Sequence, residues 1–384
     1  MKIGIDARSI LNPEKTPEIG VGHYTYQLVR NLLKIDKKNQ YTLFFDYRVR
    51  DKDVKKFSQK NVNIHYFPWS DYKKYLPGAY SEILGLATLG KEDLDVLHTA
   101  TPDARIPLGY RGKVICTFQD LGVYKQPDLF PKAKRIKAKY NRQAMAKRAD
   151  KIIAVSDSTR KDLKSFLQVD NEKIEVIKNG VDKRFFEEVK NNKSLEDKFG
   201  INRDYILFVG TIEPSKNITR LMQSFRLLKE NLKKEGKKHD YQLAIAGKRG
   251  WLADKYTQIA KDLGIEEDIK FLGYVEGEDL RTLFSRTKLF VMPSLYEGFG
   301  MTVLEAMASK APCLVSNLEP LREIADGGAE FVDPYDIDAL AIKMKELIND
   351  KHKNKRSAEK GQSIAKQFSW DKCARETLKI YKSF

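Results

Sequence analysis

The chain has 384 residues, 41% apolar and 10% aromatic, with a net charge of +17, a length that suits two domains of roughly 150–200 residues. No stretch approaches the roughly 18 uninterrupted apolar residues of a membrane-spanning helix, and the opening MKIGIDARSI reads as a buried first strand rather than a signal peptide. Cys116, Cys313 and Cys373 are widely spaced and share no metal-ligand pattern, so reduced thiols and a cytoplasmic location are expected.

In chain order, Lys2–Ala7, Tyr41–Phe45, Asn61–His65, Val96–His98, Lys113–Phe118, Lys151–Val155 and Lys173–Ile177 read as strands. Most are rich in Val, Ile or aromatics and bounded by polar or turn residues. Helical patterns lie between them at about 22–35, 79–89, 131–149 and 157–167, the last capped by Ser156 or Ser158. The loop Ile19-Gly20-Val21-Gly22-His23 opens the first helix, where Gly20 and Gly22 let backbone amides approach a ligand. Thr25 occupies the third glycine position of the dinucleotide fingerprint, which disfavours a dinucleotide oxidoreductase. Lys132–Arg148 carries eight basic residues and no acid, with Ile136, Tyr140, Ala144 and Met145 at helical spacing. It suits either a solvated face or a helix resting on an anionic membrane surface.

Asn179-Gly180 is a strong turn signal followed by a stretch of about 20 residues rich in charge and low in apolar content. A boundary there gives an N-terminal domain 1–182, completed by a closing helix 369–384, and a C-terminal domain 183–368. Strands are expected at Tyr205–Val209, Gln242–Ala246, Ile269–Leu272, Leu289–Met292, Pro312–Val315 and Glu330–Val332. Two successive βα series predict an α/β chain with two doubly wound parallel sheets, whose ligands bind beyond the carboxyl ends of the strands.

Two loops in the second half sit at such ends. Gly210-Thr211-Ile-Glu-Pro-Ser-Lys216-Asn217 leads into a helix and suits a diphosphate cradle, although Pro214 and Asn217 are also ordinary helix-start residues. After Leu289–Met292 comes Pro293-Ser-Leu-Tyr-Glu297-Gly298-Phe299-Gly300-Met-Thr302-Val-Leu-Glu305. Glu297 would stand at the strand end, the glycines at a helix start, and Glu305 one turn in, where a carboxylate can take two ribose hydroxyls. Thr302-x-x-Glu305 also reads as a capping box. That reading leaves Glu297 and both glycines without a reason.

These residues resemble the retaining family 4 glycosyltransferases. Glu297 and Glu305 have that family's Glu-x7-Glu spacing within PSLYEGFGMTVLEAMASKAPCLVSN. GIDAR, GVGHYTYQL, TFQDLGVYKQPDLFP, ADKIIAVSDSTRKDL, NGVD, GTIEPSKNITRLMQSF, LAIAGKRGW, FLGYV and FSWDKCA extend the likeness over nearly the whole chain. The resemblance implies a GT-B fold: two Rossmann-like domains facing across a cleft, with the C-terminal helix returning to the N-terminal domain. It implies the nucleotide-sugar donor in the C-terminal domain and a glycan or lipid-linked acceptor in the N-terminal one.

By position, the resemblance assigns Glu297 to the transferred sugar, Glu305 to the ribose and Lys216 to the diphosphate. Gly298, Phe299 and Gly300 would offer amides, Tyr274 and Val275 would hold the base, and Gly20 and Gly22 would approach from the other domain. Gly210 would open the diphosphate loop. Thr211 stands where many members carry arginine, leaving Lys248 or Arg249 to supply a second positive charge. Gln119, with Asp120 beside it, stands where many carry histidine, so it can hydrogen-bond a sugar but cannot titrate near neutral pH. The implied reaction is retaining, with the leaving phosphate taking the acceptor proton, and needs no cofactor. No Asp-x-Asp pair stands on a loop suited to Mg²⁺ or Mn²⁺, so no metal is expected. GDP-mannose is the expected donor. UDP- and dTDP-sugars, and a sugar-phosphate synthase or epimerase on the same fold, are the alternatives. Nucleic acid is not expected as a partner, because no recognised binding module accompanies the basic charge.

Overall fold

The computed structural model describes all residues except 11–19, 47–48, 50, 68–77, 105, 108, 190–194, 237–239 and 249–252. The chain divides into two units, Met1–Gly180 with Trp370–Phe384, and Val181–Ser369.

The strands of the first unit are β1 (Lys2–Asp6), β2 (Gln40–Asp46), β3 (Val62–Phe67), β4 (Val96–Thr99), β5 (Lys113–Phe118), β6 (Lys151–Ala154) and β7 (Ile174–Val176). They form one sheet in the order β3-β2-β1-β4-β5-β6-β7, and every pairing is parallel. A parallel sheet is covered on both faces, and accordingly Ile3, Ile5, Ile115, Ile152 and Ile153 are all fully buried. The covering helices include α1 (Val21–Ile35), α2 (Gly78–Glu92), α3 (Lys132–Arg148) and α4 (Asp157–Leu167). Of the two serines expected to cap α4, Ser156 does so, accepting a bond from the Thr159 amide at 2.9 Å.

The second unit repeats the plan with β8 (Tyr205–Val209), β9 (Gln242–Ala246), β10 (Ile269–Gly273), β11 (Leu289–Met292), β12 (Cys313–Ser316) and β13 (Glu330–Val332). Their order is β10-β9-β8-β11-β12-β13, again parallel throughout. Between and after them run α5 (Ile218–Lys234), α6 (Ala253–Asp262), α7 (Gly277–Arg286), α8 (Met301–Ala308), α9 (Glu319–Ala325), α10 (Ile337–Asn349) and α11 (Lys351–Ala365).

The last helix, α12 (Trp370–Tyr381), belongs to the first unit and packs on α1, with the Trp370 ring edge-on to Tyr24 at 6.0 Å. A buried polar chain fixes it to the sheet. The Tyr381 hydroxyl meets His98 Nδ1 at 2.6 Å, His98 Nε2 meets Thr117 Oγ1 at 2.9 Å, and Thr117 meets the Tyr24 hydroxyl at 3.0 Å. Burial pushes the His98 imidazole down to about 3, so it stays neutral in this chain.

In both sheets the strand order reverses beside the first strand of the series, at β1/β4 and at β8/β11. Open α/β sheets take ligands at this switch, beyond the carboxyl ends.

Candidate functional site

In the second unit the loops after β8 and β11 meet at the switch. The Leu295 amide donates to the Ser215 carbonyl at 2.7 Å, and Asn217 Nδ2 donates to the Pro293 and Pro334 carbonyls at 3.0 and 2.7 Å. Asn217 is therefore more than a helix-start residue. It takes the N-cap position of α5 at a positive φ of 59° but makes no side-chain cap, spending its amide instead on two neighbouring loops.

These ties bring Lys216 to Glu297, Nζ to Oε1, at 2.6 Å. The side chains are only 19% and 11% exposed. At that burial the pairing is stronger than a surface ion pair. The residues expected to take diphosphate and sugar thus neutralise one another.

The floor beside them is backbone. The Gly210 amide donates to Ala246 O at 2.9 Å, Ile212 to Lys248 O at 3.2 Å and Gly247 to Gly273 O at 2.7 Å, lacing together the ends of β8, β9 and β10. Gly247 is required by space: a Cβ there would lie 1.8 Å from the Gly210 carbonyl oxygen. Sequence reasoning quoted its string without assigning it a role.

Helix α8 begins at Met301 with Gly300 as its N-cap, at φ 105°, and no side chain caps it. Thr302 therefore lies inside the first turn, and the capping-box alternative is absent. Gly300 has no room for a side chain either, since a Cβ would meet Leu321 Cδ2 at 2.6 Å. The Val303 and Leu304 amides reach the Gly300 carbonyl at 3.0 and 3.3 Å, which leaves those of Met301 and Thr302 as the first-turn amides with no intrahelical carbonyl to reach. Glu305, half-buried one turn on, makes no side-chain hydrogen bond among the described residues. Burial, and then the Asp182 carboxylate, push its carboxyl up to about 8. Asp182 itself accepts from the Arg184 amide at 3.0 Å and pairs with Arg184 Nη2 at 2.9 Å.

The other expected donor residues divide by surface. Phe299 buries its ring against Phe368 and can offer only backbone. Tyr274 is 37% exposed beyond the end of β10, whereas Val275 is buried. Lys248 is half-buried, as is Thr211; Arg249 lies outside the described residues. Gly298 is half-buried next to Glu297.

The remaining expected residues sit in the first unit. Gly20 caps α1 at φ 58° with open space before it, and Gly22 is buried in the first turn. Gln119 and Asp120 follow β5, and Asp120 Oδ1 accepts from the Gly122 amide at 2.9 Å. Sequence reasoning missed Arg142, a buried guanidinium 3.5 Å from Asp103 and 3.9 Å from Asp120. Its one signal was its spacing, one turn from Ala138 and from Met145 and Ala146, the apolar residues that the helix buries.

The chain matches the model of Glycosyltransferase Family 4 over residues 19–185 and that of Glycosyl transferases group 1 over residues 191–364. It is 27% identical to the O-antigen chain mannosyltransferase B of Escherichia coli, over 96% of this chain and 97% of that one. Among solved structures, sucrose-phosphate synthase from Thermosynechococcus elongatus superposes with a TM-score of 0.81 at 18% identity, covering 100% of this chain and 98% of that one. Anabaena HepE in complex with UDP-glucose gives 0.74 at 17% identity, with 100% of both chains covered. The fold is GT-B, with α12 returning to the first unit. With one family model on each unit and the two laid end to end over most of the sequence, the chain belongs to the family 4 glycosyltransferases.

Proposed function

We propose that the chain transfers a hexose from a nucleotide sugar to a glycan or lipid-linked acceptor, with retention at the anomeric carbon and without a metal. GDP-mannose is the first candidate donor, supported by the mannosyltransferase relative that aligns over nearly the whole chain. The observation that carries the reading is the Lys216–Glu297 pair at the β8/β11 switch, together with a Glu305 carboxyl that makes no side-chain hydrogen bond among the described residues.

A donor diphosphate would draw Lys216 toward itself and release Glu297 to the sugar. The anomeric carbon–phosphate oxygen bond then breaks while the acceptor oxygen attacks on the same face. The departing phosphate oxygen takes the acceptor proton, so no separate strong base is needed. Lys216 and the open amides of α8 stabilise the diphosphate charge, and Glu297 stabilises the positive charge developing on the sugar. Glu305 accepts the ribose hydroxyls. Gln119 hydrogen-bonds a sugar hydroxyl, and Tyr274 and Val275 border the base. Contact with an anionic membrane surface through α3, at the inner face of the cell membrane, completes the proposal.

A thermal-shift screen of GDP-mannose, UDP-glucose, UDP-N-acetylglucosamine and dTDP-sugars identifies the donor, because a ligand raises native stability with its affinity. With that donor, Glu297→Gln is expected to lose about 100-fold or more in transfer while nucleotide diphosphate affinity holds. Unchanged turnover would remove Glu297 from the reaction.

A further inference from the structure

The carboxyl ends of β4 and β5 hold a cluster of which the reaction above uses only Gln119. Arg142, on the inner side of α3, is 9% exposed. Its Nη1 lies 3.5 Å from Asp103 Oδ1 and 3.5 Å from the Ala138 carbonyl, and its Nη2 lies 3.9 Å from Asp120 Oδ1. Asn141 Nδ2 also reaches Asp103 Oδ1, at 3.4 Å. The Nε of Arg142 and the Nε2 of Gln119 are buried with no partner among the described residues.

A guanidinium stays charged at any ordinary pH, so its burial requires anionic or hydrogen-bonding company. Engaged arginine–carboxylate contacts run at about 2.7–2.9 Å, and those of Arg142 are all longer. The two carboxylates, 49% and 39% exposed, keep oxygen lone pairs turned to solvent. Two carboxylates against one guanidinium leave the cluster net negative, which repels a phosphate or a uronate. A sugar hydroxyl suits it, because one group both donates to a carboxylate and accepts from an amide or guanidinium.

We infer that Asp103, Asp120 and Gln119 form the subsite for an uncharged pyranose at the acceptor terminus, with Arg142 as the positioning residue that holds the two carboxylates apart and in register. This rests on the glycosyl-transfer reading and names the acceptor class for it. The placement agrees with the β1/β4 switch, since Asp103 follows β4 and Gln119 follows β5, its neighbour in the sheet.

Saturation-transfer NMR on the full chain tests it, with methyl α-mannoside as the uncharged probe and methyl α-glucuronide as the acidic one. The parent chain is expected to contact the mannoside in preference to the glucuronide. Arg142→Lys places one point charge where a fork spanned two carboxylates, and should weaken the mannoside contact about ten-fold. Asp103→Asn should weaken the mannoside and strengthen the glucuronide; a general folding defect would weaken both. A glucuronide preference in the parent, no mannoside contact, or variants that leave the mannoside unchanged each overturn the inference. Calorimetry with free nucleotide diphosphates runs beside it. Absent nucleotide binding sinks the glycosyl-transfer reading, whereas normal nucleotide binding with failed mannoside contact sinks only the acceptor class.

Discussion

Glu305 combines two properties that are hard to reconcile with a purely structural carboxyl. It is half-buried without a side-chain hydrogen bond among the described residues, and its acidity is weakened, from an ordinary value of 4.5 to about 8. The folded chain holds this proton up to about pH 8, whereas the unfolded chain releases it near 4.5. Between those values the folded state binds more protons, so stability falls as pH rises and the proton's contribution is lost above about 8. Glu305→Gln has no proton to lose. In thermal melts from pH 5 to pH 9 it should gain on the parent steadily, reaching about 1–3 kcal/mol at the alkaline end. A pH-independent difference would show that Glu305 is ordinarily ionised in the fold. Nucleotide binding has the opposite demand, because two ribose hydroxyls are best accepted by a carboxylate. The same melts repeated with nucleotide diphosphate should therefore show its affinity rising toward pH 8.

At the scale of elements, the strands were the legible part. Runs such as Tyr205–Val209, Gln242–Ala246 and Leu289–Met292 are apolar but for Gln242 and each stops at a glycine or proline, and the structure begins and ends them where the sequence does. The slips are small and have reasons; β12 starts at Cys313 because Pro312 has no amide for the ladder and contributes only its carbonyl, to Phe290. The EGFG loop was visible because its glycines and carboxylates stand at a strand end. The partners of the site residues were not. Lys216 and Glu297 are 81 residues apart, and Arg142 and Asp103 are 39 apart, so both contacts depend on how loops and helices cross. Gly247 is the same case. Its need for hydrogen in place of a side chain comes from the backbone of the adjacent strand end. Gly247→Ala should cost about 1–3 kcal/mol or more and abolish nucleotide binding, since its methyl would collide with a backbone oxygen that cannot rotate away. Gly210→Ala should be far milder, because its Cβ would meet only the Phe208 ring edge at 3.2 Å and Lys216 Cε at 4.0 Å. Equal losses in the two variants, read by thermal melting and nucleotide calorimetry, would dismiss the laced floor as the cause.

Over the whole molecule, the net charge of +17 admits two explanations for any attraction to an anionic surface. Lysines spread over both units would give a diffuse, unoriented pull. Helix α3 offers a directed one: Ala138, Arg142, Met145 and Ala146 face inward, while Ile136 and Tyr140, one turn apart, are 60% and 75% exposed beside Lys132, Lys134 and Lys137. An exposed apolar pair within a basic surface suits a lipid interface, where the rings and methyls enter the headgroup boundary and each nearby lysine adds about 1 kcal/mol. Among the described residues no helix is long and apolar enough to cross a membrane. Ile136→Ser with Tyr140→Ser leaves the net charge untouched and removes only the apolar pair. Co-sedimentation with phosphatidylserine-containing vesicles should then fall about ten-fold or more relative to the parent, given the transfer energy of the two side chains. The parent's binding should also weaken as salt shortens the screening length. Binding that survives the double substitution would assign the attraction to overall charge. Equal recovery of the parent on neutral and anionic vesicles would leave α3 as a solvated face. Only loss in the double serine variant, with salt sensitivity in the parent, identifies a helix that orients the first unit, and the acceptor cluster beneath α3, toward a surface carrying lipid-linked sugar.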